Sequence, residues 1–219
     1  MIKAAIFDLD GTLIDSEMLW VESLWLCLGD MGASISIGEA TDIVYGRSWI
    51  AICEDLRARF PELDIDIDAL EKEMSVRMMR LQRERETIVI GGSVRLLKAL
   101  SVSMPVCIVS GSPVGDIERA LDLLNIHADI DFFLGASDYP IGKPDPSGFL
   151  MAAERMGIPP AECVVFEDST AGVRAAKNAG MICVALSRPA APPQDVSAAD
   201  LIIEDLGNLD IDALNALAV

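Results

Sequence analysis

The chain has 219 residues, of which 17 are Lys or Arg and 35 are Asp or Glu, so its formal net charge is −18. This charge argues against nucleic acid as a partner, because binding to a phosphate backbone needs clustered cationic side chains. Hydrophobic residues make up 52% of the chain and charged residues 24%, which is typical of a globular protein and excludes intrinsic disorder.

Short, nearly continuous apolar runs recur along the chain and predict β-strands at residues 4–7, 106–109, 132–134, 163–166 and 182–186. Such runs are typical of strands that are buried on both faces of a parallel sheet. Helical periodicity between them predicts helices over 113–124, 147–156 and 170–179. The alternation predicts a doubly wound, Rossmann-like α/β domain. We interpret the acidic tail after Arg188 as a solubilising surface packed on the sheet edge.

The region between residues 15 and 89 has no strand-like run and carries helical periodicity throughout. One apolar stripe comprises Met18, Val21, Trp25 and Leu28, and residues 70–85 carry a second. We therefore predict an all-helical insertion at 15–89 in a core domain formed by 1–14 and 90–219, with buried packing for Trp25. The flexibility of Gly91-Gly92 suits a hinge at the exit of the insertion. The acidic run 64–68 is interpreted as the start of a helix.

Single residues and composition exclude several kinds of site. Five cysteines without a C-x-x-C pair predict reduced, mostly buried thiols. The lone histidine, His127, is expected at the surface, so acid–base chemistry falls to carboxylates. No apolar run approaches about 18 residues, and Asp8 and Asp10 interrupt the N-terminal run, so we expect no membrane span, no signal peptide and a cytoplasmic location.

The sequence DLDGTL at residues 8–13 directly follows the first predicted strand. Its carboxylates should lie at the carboxyl end of the parallel sheet, where open α/β folds place their active sites. Two aspartates separated by one residue can divide a reaction between nucleophilic attack and proton transfer. An ordinary turn at the end of a strand is the alternative interpretation.

Three further motifs lie near the ends of other predicted strands. SGS at 110–112 offers hydroxyls and backbone amides beside a helix N-terminus, GKPDP at 142–146 supplies a lysine, and FEDS at 166–169 supplies adjacent carboxylates. Each also has a structural interpretation, as a turn, a surface lysine and a helix N-cap. Together with DLDGTL, they predict one active site.

As a set, these motifs and the small residues from Ala171 to Gly180 resemble the haloacid dehalogenase superfamily, and within it the β-phosphoglucomutase-like phosphatases with a helical cap. The resemblance implies that Asp8 is the nucleophile that becomes an aspartyl phosphate and that Asp10 is the acid and base. It also implies Mg²⁺ as the cofactor. The metal ligands would be Asp8, the Asp10 carbonyl and Asp168, with Glu167 bound directly or through water.

The resemblance also implies how the substrate is held. Ser110 and the amides of Gly111 and Ser112 would bind the phosphate oxygens, Lys143 would supply positive charge, and Thr12 would orient the first loop. The substrate loop of the cap corresponds to residues 45–49. Its Arg47 would meet a second polar group of the substrate, with a structural role as the alternative, and Trp20 and Trp49 would form a sugar-facing wall.

The implied function is a Mg²⁺-dependent phosphatase that acts on small phosphorylated metabolites, sugar phosphates above all. A β-phosphoglucomutase-like mutase is the alternative, although Trp20 stands about where the related mutases carry a cap histidine. A dehalogenase would not need Asp10 or the metal carboxylates, and a catalytically silent binding protein would not need the full motif set. We expect a monomer or a weak homo-oligomer.

Overall fold

The structure, a computed structural model, describes residues 1–47, 49–84, 89–189 and 191–217. The chain divides into two units. A core unit is formed by Met1–Ile14 with Val89–Val219, and a helical unit is formed by Asp15–Ile88. The core unit therefore consists of two stretches of chain that are separated in sequence by the helical unit.

A parallel sheet forms the centre of the core unit. Within the described residues it has six strands, β1 (Ala4–Phe7), β2 (Val106–Val109), β3 (Phe132–Leu134), β4 (Cys163–Glu167), β5 (Ile182–Leu186) and β6 (Leu201–Ile203). The spatial order is β3-β2-β1-β4-β5-β6. The five predicted strands and the α/β class are confirmed. The acidic tail also supplies β6, which the sequence did not predict.

The register of the sheet brings three strand ends to one level. Phe7 at the end of β1 pairs with Ile108 of β2 on one side and Phe166 of β4 on the other. The rings of Phe7 and Phe166 stack with centroids 4.4 Å apart. Because parallel strands point the same way, the loops after β1, β2 and β4 all leave the same edge of the sheet.

Helices cover both faces of this sheet. They are α5 (Gly91–Ser101), α6 (Val114–Leu124), α7 (Ser147–Met156), α8 (Thr170–Asn178) and α9 (Ile211–Ala216), with short 3₁₀ turns at Pro160–Glu162 and Leu206–Asn208. Their numbers continue from those of the helical unit, whose described residues form four helices. One apolar cluster joins α5, α6 and α9 to the sheet, and a second joins α7 and α8 to it. Burial on both faces explains the continuous apolar runs of the central strands.

The helical unit contains α1 (Glu17–Asp30), α2 (Ile37–Val44), α3 (Trp49–Arg59) and α4 (Ile67–Glu84). The stripe predicted for α4 is confirmed, since Leu70, Met74 and Met78 are buried. The acidic run before α4 is a helix start as predicted, because the Asp66 carboxylate accepts a hydrogen bond from the Ala69 amide at 3.1 Å. No strand lies in the described residues of this unit.

The predicted burial of Trp25 is wrong. This side chain is 39% exposed, and its indole N–H donates a hydrogen bond to the Ile35 carbonyl at 2.9 Å. Leu24 and Leu28, four residues apart, occupy the buried face of α1 instead. Val21 and Leu28 of the predicted stripe are buried, whereas Trp25 lies at the margin of the buried face with its polar atom satisfied.

Gly91 and Gly92 form the first turn of α5 rather than an extended linker. Gly92 is buried, and a Cβ there would overlap the Asp205 carboxylate and lie 3.0 Å from the Gly207 nitrogen. The missing side chain at Gly92 therefore lets α5 approach residues 205–207 closely. This close packing explains why residue 92 is a glycine, without a hinge at this position.

We expect Gly92→Ala to lower the free energy of unfolding by about 1–3 kcal/mol, because the added methyl group must displace a carboxylate and backbone. Gly91→Ala is the matched control, since its Cβ would meet only the Arg95 Nη1 atom at 3.4 Å and alanine favours a helix. Urea denaturation of both variants measures the difference. Equal urea midpoints for the two variants would show that the close approach of α5 at Gly92 does not contribute to stability.

The expectations for cysteine and histidine are confirmed. All five thiols are buried and unpaired. Burial raises the pKa of Cys163 to about 11 and that of Cys183 to about 12, so these thiols stay protonated at neutral pH. His127 is exposed, with its Nε2 atom 2.8 Å from an Asp122 carboxylate oxygen.

Among the helices of the described residues, none is long and apolar enough to cross a membrane.

Candidate active site

A tight turn follows β1 and places two aspartates at the edge of the sheet. The Asp8 amide donates to the Phe166 carbonyl at 2.9 Å, which extends the pairing of β1 with β4 by one residue. Gly11 then adopts a positive φ of 89°, a conformation that glycine tolerates best. A Cβ at Gly11 would overlap the Asp168 carboxylate, so the glycine also lets the loop after β4 approach the turn.

Lys143 lies between the carboxylates of Asp8 and Glu167. Its Nζ atom donates to the Asp8 Oδ1 atom at 2.5 Å and to the Glu167 Oε1 atom at 2.6 Å. A third hydrogen bond of 3.2 Å reaches the Val109 carbonyl at the end of β2. The lysine side chain is only 14% exposed. One buried ammonium therefore connects the loops that follow β1, β2 and β4.

Burial and charge shift the pKa values of this pair. Burial raises the pKa of the Asp8 carboxyl well above its usual value; Lys143 opposes this shift, and Glu167 and Asp10 add to it. Burial alone would lower the pKa of Lys143, but the Asp8 and Glu167 carboxylates raise it above the usual value. Lys143 is cationic because its three acceptors all need a proton donor. Burial is the main cause of the raised pKa of Asp8, and the neighbouring carboxylates of Glu167 and Asp10 add to it.

Three buried carboxylates, those of Asp8, Glu167 and Asp168, fit a metal ion. Each offers an oxygen atom, and these atoms lie within 4.8 Å of one another. A set of oxygen ligands with surplus negative charge suits a hard divalent cation such as Mg²⁺. The Thr12 hydroxyl donates to the Asp168 Oδ1 atom at 3.3 Å, which orients that carboxylate.

The Glu167 carboxylate is fixed by the start of α8. Its Oε2 atom accepts hydrogen bonds from the Asp168 amide at 2.8 Å and from the Ser169 amide and hydroxyl, both at 2.9 Å. The Ser169 hydroxyl in turn accepts a bond from the Gly172 amide at 3.0 Å and so caps α8. The sequence predicted Glu167 as a metal ligand and did not predict its ion pair with Lys143 or its support by Ser169.

The loop after β2 is bonded to Asp10. The hydroxyls of Ser110 and Ser112 donate to the Asp10 Oδ2 atom at 3.2 and 2.7 Å. The Ser112 amide, expected to face phosphate, donates to the Ser110 Oγ atom at 3.0 Å. A Cβ at Gly111 would meet nothing within 4 Å, so its backbone borders open space. These contacts bring the predicted Ser110–Ser112 loop beside the DLDGTL turn.

Two of the predicted cap residues, Arg47 and Trp20, have partners inside the helical unit. The Arg47 guanidinium binds the Asp55 Oδ2 atom at 2.6 Å and the Ala51 carbonyl at 3.2 Å, which are structural contacts. Trp20 packs beside Leu19 and Met78, and Trp49 begins α3. Position 48 of the predicted substrate loop lies outside the described residues. Substrate selection by Arg47, Trp20 and Trp49 stays a prediction.

Tyr139 is a site residue that no sequence motif marked. Its phenol donates to the Ser110 carbonyl at 2.8 Å from a buried position. The available signal was weak, a single tyrosine four residues before Lys143 in a loop that otherwise resembles an ordinary connection.

The chain is similar to several known proteins. The family model for haloacid dehalogenase-like hydrolases matches residues 2–180. The chain is 31% identical over 207 residues to validoxylamine A 7'-phosphate phosphatase of Streptomyces hygroscopicus subsp. limoneus, covering 94% of this chain and 95% of that protein. It is 30% identical over 179 residues to fructose-1-phosphate phosphatase YqaB of Escherichia coli (strain K12), covering 82% and 93%.

One solved structure with a similar fold is CbbY from Rhodobacter sphaeroides, crystallised in complex with phosphate. The TM-score is 0.82 at 21% identity, and the match covers 98% of this chain and 100% of that one. At this identity the likeness shows a shared fold.

Proposed function

Because the chain belongs to the haloacid dehalogenase-like hydrolase family, we propose that it is a Mg²⁺-dependent phosphatase acting through an aspartyl phosphate on Asp8. The match to the family model confirms the family that the motifs predicted. The observation that carries the proposal is the ion pair between Asp8 and Lys143 at the end of β1, beside the carboxylates of Glu167 and Asp168.

Small phosphate monoesters, sugar phosphates above all, are the proposed substrates. Two relatives that are at least 30% identical to this chain are named for phosphate esters, validoxylamine A 7'-phosphate and fructose 1-phosphate. These names support the class of substrate, a phosphoric monoester, for a chain that matches most of the length of both proteins.

In the proposed reaction, an Asp8 carboxylate oxygen forms a bond to phosphorus while the bond from phosphorus to the ester oxygen breaks. Asp10 gives its proton to the departing alkoxide. Asp10 then takes a proton from water, whose oxygen attacks phosphorus and releases inorganic phosphate, and this step restores the Asp8 carboxylate. Lys143 keeps an ammonium beside Asp8, which offsets the negative charge of the incoming phosphate.

Asp10 suits the proton-transfer role because two hydroxyl groups hold its carboxylate in place. The Ser110 and Ser112 hydroxyls both bond to its Oδ2 atom. A carboxyl group that must meet first the leaving oxygen and then water benefits from a fixed position, since proton transfer needs hydrogen-bond reach. The same two serines belong to the loop proposed to hold the phosphate oxygens, together with Gly111.

Asp8, Asp168 and the Asp10 carbonyl would hold Mg²⁺, with Glu167 directly or through water. The bound ion would supply positive charge against the phosphate oxygens. The residues fit this role because the carboxylate cluster carries more negative charge than Lys143 offsets. Thr12 would keep the Asp168 carboxylate oriented through its hydroxyl.

We expect Asp168→Ala to raise the Mg²⁺ concentration for half-maximal activity at least about tenfold, a typical loss when metal coordination is damaged. Glu167→Ala should move this concentration less and lower kcat, because Glu167 also binds Lys143. Glu118→Ala, which removes an exposed carboxylate on α6, is the control. Mg²⁺ activation curves for the three variants measure this. Superimposable curves would remove Asp168 from the metal site.

The proposed function is tested by incubating the purified protein with an aryl phosphate and a panel of sugar monophosphates, with and without Mg²⁺. Inorganic phosphate should appear with Mg²⁺ and disappear with a chelator. Incubation with β-glucose 1-phosphate and a trace of glucose 1,6-bisphosphate distinguishes a phosphatase from the alternative, a mutase. Predominant glucose 6-phosphate with little inorganic phosphate would favour a mutase, and no turnover of any ester would refute the proposal.

A further inference from the structure

The segment from Gly135 to Lys143 bonds to three main-chain carbonyls around the Ser110–Ser112 loop. Lys143 donates to the Val109 carbonyl at 3.2 Å, Tyr139 to the Ser110 carbonyl at 2.8 Å, and the Ala136 amide to the Ser112 carbonyl at 3.0 Å. The Tyr139 hydroxyl is the side-chain donor to the Ser110 carbonyl, which is the first carbonyl of the Ser110–Ser112 loop. All of these contacts lie within the core unit.

The core holds the Tyr139 ring in place. Tyr139 is 7% exposed and belongs to the apolar cluster that includes Val109 and Phe149. Helix α7 approaches the ring at Gly148, where a Cβ would lie 3.1 Å from Tyr139 Cε1 and 3.0 Å from Val109 Cγ1. A phenylalanine would fill the same space, so packing accounts for the ring and not for the hydroxyl.

The Tyr139 phenol stays protonated at neutral pH and so remains a hydrogen-bond donor. Burial raises the pKa of Tyr139 above its usual value, although Lys143 opposes the shift. The Ser110 carbonyl needs a donor because Ser110 is itself buried, and a buried carbonyl without a partner is costly.

The orientation of the Ser110 peptide determines what the rest of the loop can do. The Ser110 Oγ atom donates to Asp10 and accepts from the Ser112 amide. Rotation of the Ser110 carbonyl would move the adjoining Gly111 amide, which belongs to the same peptide unit. A donor on that carbonyl therefore fixes the orientation of the Gly111 amide.

We propose that Tyr139 is a positioning residue for phosphate, which acts through its hydrogen bond to the Ser110 carbonyl. This inference rests on the proposed function, because it assigns phosphate binding to the Ser110–Ser112 loop. Tyr139 does not touch the phosphate. It holds the peptide between Ser110 and Gly111 in place, and with it the Gly111 amide, whose backbone borders open space.

The test is Tyr139→Phe, which keeps the ring and removes the hydroxyl. We expect the inhibition constant for inorganic phosphate and the KM for an aryl phosphate to rise about five- to tenfold, the effect of losing one buried hydrogen bond. The Mg²⁺ concentration for half-maximal activity should stay unchanged. Ser23→Ala is the matched control, because it removes a buried hydroxyl that donates to the Leu19 carbonyl in α1; it should leave phosphate inhibition unchanged.

A double-mutant cycle with Ser110→Ala tests the route of the effect. Ser110→Ala keeps the main-chain carbonyl that accepts from Tyr139 and removes only the hydroxyl, so Tyr139→Phe should weaken phosphate binding by a similar factor in both backgrounds. A loss confined to the Ser110 background would overturn the inference, because the phenol would then act through the serine hydroxyl, as would wild-type phosphate inhibition in Tyr139→Phe or failure of this variant to fold. An inactive wild-type protein would instead refute the proposed function, so the two failures are distinguishable.

Discussion

Asp8→Asn is expected to lower kcat for hydrolysis of an aryl phosphate at least ~10³-fold, as loss of a covalent nucleophile does. The amide keeps the size of the side chain and can still accept a hydrogen bond from Lys143, so the fold should persist. It lacks the anionic oxygen that would attack phosphorus. Steady-state kinetics at saturating Mg²⁺ and phosphate ester measure the loss.

Asp122→Asn provides the control, since it makes the same chemical change at an exposed position of α6. It should retain full activity. Mass spectrometry of the wild-type protein quenched in acid during turnover should detect a phosphoryl group on the peptide that contains Asp8. Substantial turnover by Asp8→Asn would mean that water attacks phosphorus directly, and the covalent mechanism would be wrong.

The second large effect is expected for Lys143→Met, which keeps the length of the side chain and removes its charge. In the presence of a chelator this change should lower the free energy of unfolding by about 3–5 kcal/mol, as for a buried ion pair that loses one partner. The Asp8 and Glu167 carboxylates would then be buried without their shared cation. kcat should fall about 10²- to 10³-fold, because electrostatic support for the phosphate is lost.

The loss of stability in Lys143→Met should depend on pH. The pKa of Asp8 is already raised by burial, and removal of the ammonium removes the group that opposes this shift. A folded-state carboxyl pKa above the unfolded one means that stability falls as the pH rises through the carboxyl range. The deficit relative to the wild type should therefore shrink in acid, where protonated carboxyls need no cation.

Denaturant titrations at several pH values measure this dependence, and Lys72→Met on the exposed surface of α4 serves as the control. Added Mg²⁺ should restore part of the lost stability if the carboxylates hold the metal. A variant as stable as the wild type at neutral pH in chelator would show that the ion pair contributes nothing to folding.

The central strands were predictable because of their complete burial. β1, β2 and β4 are flanked by neighbours and covered on both faces, so nearly every position in them is apolar. β6 was not predictable by the same reasoning. It has three residues at the edge of the sheet, Ile202 is 49% exposed, and charged residues follow directly. A short edge strand carries too few buried positions to show a pattern.

The sequence predicted which residues meet at the site better than it predicted their hydrogen-bond partners. DLDGTL, SGS and FEDS follow strands whose order places them together, so their proximity follows from topology. The hydrogen bonds from Lys143 to Glu167 and from Tyr139 to Ser110 join residues 24 and 29 positions apart. No periodicity encodes such contacts, because they depend on how two loops meet in three dimensions.

The position of β1 at the centre of the sheet has a consequence for synthesis on the ribosome. Its partners are β2 and β4, and Ala5 pairs with Val106 and Val164. At roughly 5–20 residues per second, the first of these partners emerges about 5–20 s after β1, and the second emerges later still. During that interval, the apolar segment that will carry Asp8 has two unpaired edges, which are templates for association with other nascent chains. The strand that presents the proposed nucleophile is therefore the part of the sheet with the longest exposure before folding.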